Sequence, residues 1–204
     1  MARRHPDLYR AHGIELLGMK HPRIQALKRR HAPSVHGHKP WTSSFLVMDF
    51  LAHRRIPQHA RVMEIGCGWG PVAVFCAKRF AARVTGVDID PAVFPFLEAL
   101  AAVNDVEVAT ETARFERLTT ARLGREHLIV GSDICFWDEL ADPLYNLVRR
   151  AQRGGARRVI IADPGRAPFH ALVERCRTRF ATEVFDWHTG RPTSIDGEIL
   201  DISL

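Results

Sequence analysis

Val62-Met-Glu-Ile-Gly-Cys-Gly-Trp-Gly70 decides how this chain is read. An apolar run carrying one acid, Glu64, enters glycines at alternate positions. The residues that follow (Val72, Cys76, Phe80) repeat at helical spacing. This is a strand, a tight turn and a helix. Gly66, Gly68 and Gly70 permit a backbone path that side chains forbid, and let a ligand approach the main chain. The spacing is G-x-G-x-G, not the G-x-G-x-x-G of a dinucleotide site, which seats pyrophosphate on a helix N-terminus. A carboxylate at Glu64 repels phosphate and suits the ammonium of an amino-acid ligand. A second acid, Asp88 in Val84-Thr-Gly-Val-Asp88-Ile-Asp-Pro91, lies 22 residues after Gly66 and closes the next strand. There a carboxylate reaches both hydroxyls of a ribose.

Outward from this turn the pattern alternates. Strands are expected at Arg61–Ile65, Arg83–Val87, Val106–Ala109, His127–Val130 and Arg158–Ala162. Helical spacing runs between them, as in Leu140, Leu144, Leu147, Val148 and Ala151, or Phe169, Leu172, Val173, Cys176 and Phe180. Leu128-Ile-Val130 and Val159-Ile-Ile161 are apolar on both faces, as central strands of a covered parallel sheet are. Trp41–Ala52 reads as a helix ahead of the first of these strands. The tail departs from the alternation: Thr182–Trp187 and Gly197–Leu204 read as two strands joined by turn residues, a hairpin whose last strand runs antiparallel. The expected fold is α/β, a doubly wound Rossmann-like seven-stranded sheet with an antiparallel C-terminal hairpin strand and helices on both faces.

Composition bounds the rest. At 204 residues, 46% hydrophobic and 25% charged, the chain is globular, not disordered or fibrous. No apolar run is long enough to span a bilayer, and Met1-Ala-Arg-Arg-His-Pro6 lacks a signal core, so a cytoplasmic protein is expected. Cys67, Cys76, Cys135 and Cys176 form no C-x-x-C pair and read as reduced thiols. Charge is uneven. Residues 1–40 carry nine Lys/Arg against Asp7 and Glu15, which leaves 20 basic and 21 acidic residues beyond them. Residues 1–40 are therefore expected to form a basic N-terminal arm or a helical cover, with the domain proper over 41–204. An arm of this charge attracts an acidic partner or nucleic acid. His36-Gly-His38 has no companion Cys or carboxylate pattern, and no metal site is expected.

Strand, glycine turn and ribose acid resemble the class I S-adenosylmethionine-dependent methyltransferases, over residues 41–204. The resemblance implies S-adenosylmethionine as cofactor, held by Glu64, Gly66, Cys67, Gly68, Trp69, Gly70, Asp88, Ile89 and Ser132. A second motif narrows it. Ile129-Val-Gly-Ser-Asp133-Ile-Cys-Phe136-Trp-Asp-Glu139 is similar to the D-x-x-Y/F signature of the seven-strand lysine methyltransferases. Ile161-Ala-Asp163-Pro-Gly-Arg166 resembles the D-P-G-R stretch of the electron-transfer-flavoprotein lysine methyltransferases and their bacterial relatives. Those proteins place a tryptophan against the cofactor from the lead-in segment, and Trp41 is the matching position. The family's acidic or aromatic adenine contact has no counterpart in Phe115-Glu-Arg-Leu-Thr-Thr120. Asn104 stands near an Asn common in the family.

The expected function is thus methyl transfer to a protein side-chain amine, lysine. Asp133 would orient the amine, while Phe136 and Trp137 offer ring faces to its cationic form. Two alternatives stand beside it. One is an RNA or small-molecule methyltransferase on the same fold; the other is a non-catalytic cofactor-binding subunit. No N-P-P-Y or D-P-P-Y follows the fourth strand, which argues against exocyclic amines of nucleobases or of glutamine. Cys67 and Cys135 lack the Pro-Cys setting of a cysteine nucleophile.

Overall fold

The computed structural model describes residues 7–34, 37 and 39–204. His36, His38 and the first arginines of the basic segment, Arg3 and Arg4, lie outside the described residues. The N-terminal segment contains a hairpin of β1 (Leu8–Ala11) and β2 (Ile14–Leu17), followed by α1 (Pro22–Arg30). Its turn is His12-Gly13, both at positive φ, the two-residue turn whose twist matches the flanking strands. α2 (Ser43–His53) leads into the alternating region. That region runs β3 (Arg61–Ile65), α3 (Pro71–Phe80), β4 (Arg83–Asp88), α4 (Phe94–Val103) and β5 (Ala109–Thr112). It continues through α5 (Thr120–Leu123), β6 (Leu128–Ser132), α6 (Ala141–Gly154), β7 (Arg158–Asp163) and α7 (Ala167–Arg177). The closing strands are β8 (Ala181–Thr189) and β9 (Ile195–Ser203).

Seven strands form one sheet in the order β5-β4-β3-β6-β7-β9-β8. All pairs are parallel except those of β9, which runs antiparallel to both β7 and β8. The alternating fold with its C-terminal hairpin is therefore present as read. The third strand differs: the apolar stretch Val106–Val108 packs against the core as a lead-in, and the edge strand itself is the polar Ala109–Thr112. An edge strand with one neighbour can be polar, so its sequence carries little signal.

Successive strand residues serve opposite layers. Val62, Val84, Leu128, Val130 and Ile160 pack with α2, α3, α4 and the N-terminal hairpin. Met63, Ile65, Val87, Ile129 and Ile161 pack with α6 and α7. The hairpin and α1 are part of the first layer. Ala11, Ile14, Leu16, Leu17 and Ile24 are buried in the same core as Phe50 and Phe75. Asn104 fastens the hairpin: its amide oxygen accepts the Glu15 N–H at 2.8 Å, and its Nδ2 donates to the Glu15 carbonyl at 2.8 Å.

Between β3 and β6 the chain reverses the direction in which it adds strands. Such a switch opens a crevice beyond the C-terminal strand ends, the place where ligands bind in open α/β sheets. Glu64, Asp88, Ser132, Asp133 and Asp163 all lie at or near those ends.

Candidate active site

The glycine turn has two kinds of glycine. A side chain at Gly66 would meet Ile134 at 2.6 Å, and one at Gly70 would meet Leu97 at 2.5 Å. These two are glycine because the protein fills the space. Gly68 also has positive φ (+51°), but nothing lies within 4 Å of where its Cβ would stand. The centre of the turn thus presents bare backbone to open space. Asp88 stabilises it: the Gly68 N–H donates to the Asp88 carboxylate at 2.9 Å, and Asp90 N–H donates to its other oxygen at 3.0 Å. Burial raises the Asp88 pKa above the usual carboxylate value, against the pull of these two donors. Ile89 beside it is more than half exposed.

Other residues of the turn work from below. Glu64 is 1% exposed and accepts the Ala73 N–H at 2.8 Å, tying β3 to the first turn of α3. Burial, reinforced by the like charge of Asp88, pushes its carboxyl up to about 8. In this packing Glu64 braces the turn from beneath through one of its two carboxylate oxygens. Trp69 is likewise buried. Its ring stacks on Phe96 at 4.7 Å, and its Nε1 donates to the Gly37 carbonyl at 2.9 Å. Cys67 packs against Gly86, and the side chains of Cys67 and Trp69 are buried. Burial pushes the thiols of Cys67 and Cys135 upward, which makes either a poor nucleophile.

The sequence brought Asp133 forward as an amine-orienting carboxylate, and the structure gives it occupants. Its side chain is 4% exposed, with φ at +57°. One oxygen accepts the Ser43 N–H at 3.2 Å, at the start of α2. The other accepts Arg166 Nη2 at 2.6 Å. Arg166 Nη1 reaches Asp163 at 3.0 Å, and Asp163 also accepts the N–H groups of Gly165 and Arg166. The carboxylate is therefore not a lone anion. Two carboxylates share one guanidinium across the ends of β6 and β7. The role of Arg166 was missed in the sequence, although the spacing of Asp163 and Arg166 was its signal. Phe136 and the half-exposed Trp137 follow Asp133, with ring centroids 4.6 Å apart at 72°. Trp41 precedes α2 and carries Lys39 Nζ at 4.6 Å from its ring centroid. Ser132 ends β6, level with Ala162 of β7.

Among the described residues, no group of His, Cys, Asp and Glu is arranged to hold a metal, and no helix is long and apolar enough to cross a membrane.

Comparison with known proteins agrees with this geometry. Residues 62–155 match a family model described as a methyltransferase domain. The electron transfer flavoprotein beta subunit lysine methyltransferase of Xenopus laevis is 34% identical over 130 residues, covering 63% of this chain and 52% of that protein. A Methanocaldococcus jannaschii protein named as a protein N5-glutamine methyltransferase is 31% identical over 97 residues, 47% of each chain. The chain spans about half the length of these curated relatives. Among solved structures, a methyltransferase from Pyrococcus furiosus superposes with a TM-score of 0.61 at 16% identity, covering 89% of this chain and 95% of that one, a likeness of fold. With the sheet order, the bare glycine turn and Asp88 beside it, the chain has the fold of the class I methyltransferases, and its residues 62–155 are similar to a methyltransferase domain.

Proposed function

We propose that this chain is an S-adenosylmethionine-dependent methyltransferase acting on a protein side-chain amine, that of lysine. The observation that carries the reading is the pairing of two half-sites in one crevice. Gly68, Asp88 and Ile89 make a cradle of open backbone, carboxylate and exposed apolar side chain. Asp133, directly after β6, and Phe136 and Trp137 beyond it are the proposed second half. In this reading Asp88 would hold the ribose hydroxyls, the Gly68 backbone the amino-acid portion and Ile89 the adenine face, with Trp41 and Ser132 at the margins. S-adenosylmethionine, when bound, supplies a methyl group on a sulfonium, an electrophile that already carries its leaving group.

What remains for the protein is alignment and the proton. A lysine amine has an ordinary pKa of about 10.4 and must lose a proton before it can attack. A carboxylate offers about four acceptor positions, of which Ser43 N–H and Arg166 occupy two on Asp133. The remaining positions can orient an amine, and the faces of Phe136 and Trp137 suit its cationic form on arrival. The protein substrate follows the printed names of the curated relatives, both protein methyltransferases.

The exposed Arg23, Arg29 and Arg30 on α1 favour an acidic docking partner, and nucleic acid is the competing occupant. Tritiated methyl transfer into a cell lysate, divided between protease and nuclease digestion, tests the reading. Label in protein that hydrolyses to methyllysine supports it. Label in nucleic acid supports an RNA methyltransferase, and no label supports a non-catalytic subunit.

A further inference from the structure

We propose that Arg166 is a positioning residue that sets the charge of the acceptor pocket, so that the amine held by Asp133 enters methyl transfer without its proton. The inference rests on the lysine reading above and adds how that site favours the reactive form of its substrate.

Asp133 and Asp163 end neighbouring parallel strands, with side chains 4% and 0% exposed. Two carboxylates so placed repel each other. Burial and the Asp133 charge raise the Asp163 pKa, against the pull of Arg166. The Arg166 guanidinium divides its nitrogens between them, Nη2 to Asp133 at 2.6 Å and Nη1 to Asp163 at 3.0 Å. A planar fork can serve two carboxylates in this way, and a lysine ammonium cannot match its geometry. The local chain is shaped for it. Gly165 has φ +93°, and a side chain there would lie 2.9 Å from Glu198, so the turn returns Arg166 onto Asp163.

The charge count gives the consequence. Two carboxylates and one guanidinium leave a single net negative charge. Without Arg166, an amine at Asp133 would face two, and nearby anions raise an amine's pKa. An ammonium has no lone pair. The guanidinium offsets one anion and returns the amine toward its neutral form. Further groups border the cluster. Glu198 and His170 pair with each other at 2.5 Å beside Gly165. The Cys135 thiol, facing Asp163 and Arg166, is held neutral by burial. The N-terminus of α2 at Ser43 contributes a partial positive charge at the other Asp133 oxygen.

The step balances simply. The amine gives its proton to water, and its lone pair then forms the new N–C bond. The C–S bond breaks with its electrons passing to sulfur, leaving a neutral thioether and a methylated ammonium.

The test is the pH dependence of methyllysine formation, with tritiated S-adenosylmethionine and whole-lysate protein as the acceptor probe at subsaturating concentration. Arg166→Gln should move the rising limb to higher pH by about one unit, and Asp163→Asn should move it lower by a similar amount. Arg166→Lys keeps the charge without the fork and should lose rate while holding the wild-type limb. A purely structural role for Arg166 would lower the rate of all three variants and leave the limb in place, which overturns the proposal. If Arg166→Gln fails to fold, the downward shift of Asp163→Asn decides alone. Wild-type protein that makes no methyllysine removes the lysine reading itself. Wild-type activity with immobile limbs removes only the inference.

Discussion

The carboxylate of Asp133 accepts the backbone N–H of Ser43 at 3.2 Å, joining residues 90 apart in the chain. Ser43 begins α2, directly after the lead-in that carries Trp41, and Asp133 closes β6. One side chain thus stitches the start of α2 to the end of β6 and also pairs with Arg166. Asp133 therefore has a structural part beside its proposed role with the amine, and the two separate by measurement.

Asp133→Asn keeps the shape and removes the charge. Removing one partner of a buried ion pair costs about 3–5 kcal/mol, and here Arg166 keeps Asp163 and is partly exposed. A loss of about 2 kcal/mol, or roughly 4–8 °C in Tm, is expected. The single-turnover rate should fall about 100-fold beyond that, equivalent to about 2.7 kcal/mol in the barrier. A destabilised variant with full rate per folded molecule would make Asp133 a capping residue only.

Asp88→Ala acts on the other half of the crevice. It removes the carboxylate proposed for the ribose hydroxyls, which is also the acceptor that holds Gly68 N–H at 2.9 Å. Charge-assisted hydrogen bonds contribute about 1.5–3 kcal/mol each. S-adenosylmethionine affinity measured by calorimetry should therefore fall about 100-fold or more. Equal affinity in both proteins would remove Asp88 from the site.

The alternation of strands and helices was legible because most strands are central and covered on both faces, so their sequences are uniformly apolar. The glycine turn was legible because backbone at positive φ leaves few residue choices. What escaped follows the same logic. The edge strand Ala109–Thr112 has one neighbour and a polar surface, so its neighbour Val106–Val108 attracted the assignment. The hairpin at Leu8–Leu17 hid within a segment dominated by charge, although His12-Gly13 between Tyr9, Ala11, Ile14 and Leu16 carried a turn signal. Direction was invisible as well. Residue types point to Glu64 and Asp133, but only coordinates show that Glu64 is tied to the first turn of α3 and that Asp133 is shared with Arg166.

Glu64 gives a pH prediction. Its carboxyl is held at about 8 in the fold, against an ordinary value of 4.5. The folded state thus binds this proton more tightly than the unfolded chain does. Stability from this group is fully present below pH 4.5, declines as pH rises toward about 8, and is flat above it. Glu64→Gln removes the slope. Without cofactor, its Tm should exceed that of the wild type at pH 8, and the difference should shrink toward pH 5. Parallel Tm curves for the two proteins would mean that Glu64 is ionised in the fold.

The basic N-terminal segment carries two contributions that deletion alone would confuse. Ile14 and Ile24 are each 1% exposed, and Leu16 and Leu17 are buried beside them. Asn104 spends its amide on both backbone groups of Glu15 and on the Leu100 carbonyl. Removing residues 1–30 uncovers this apolar surface and leaves the buried Asn104 short of two partners, at about 1–3 kcal/mol for the lost hydrogen bonding alone. The truncated protein should aggregate or melt far below the wild type. Charge is tested separately by Arg23→Gln, Arg29→Gln and Arg30→Gln together, all on the exposed side of α1. That variant should keep its Tm and its S-adenosylmethionine affinity. Its initial rate on lysate protein at low salt should fall several-fold, and the gap should close as ionic strength shortens the Debye length from ~10 Å at 0.1 M toward ~3 Å at 1 M. A rate equal to wild type at every salt concentration would leave α1 as a cover for the core, with no part in recruiting an acidic partner.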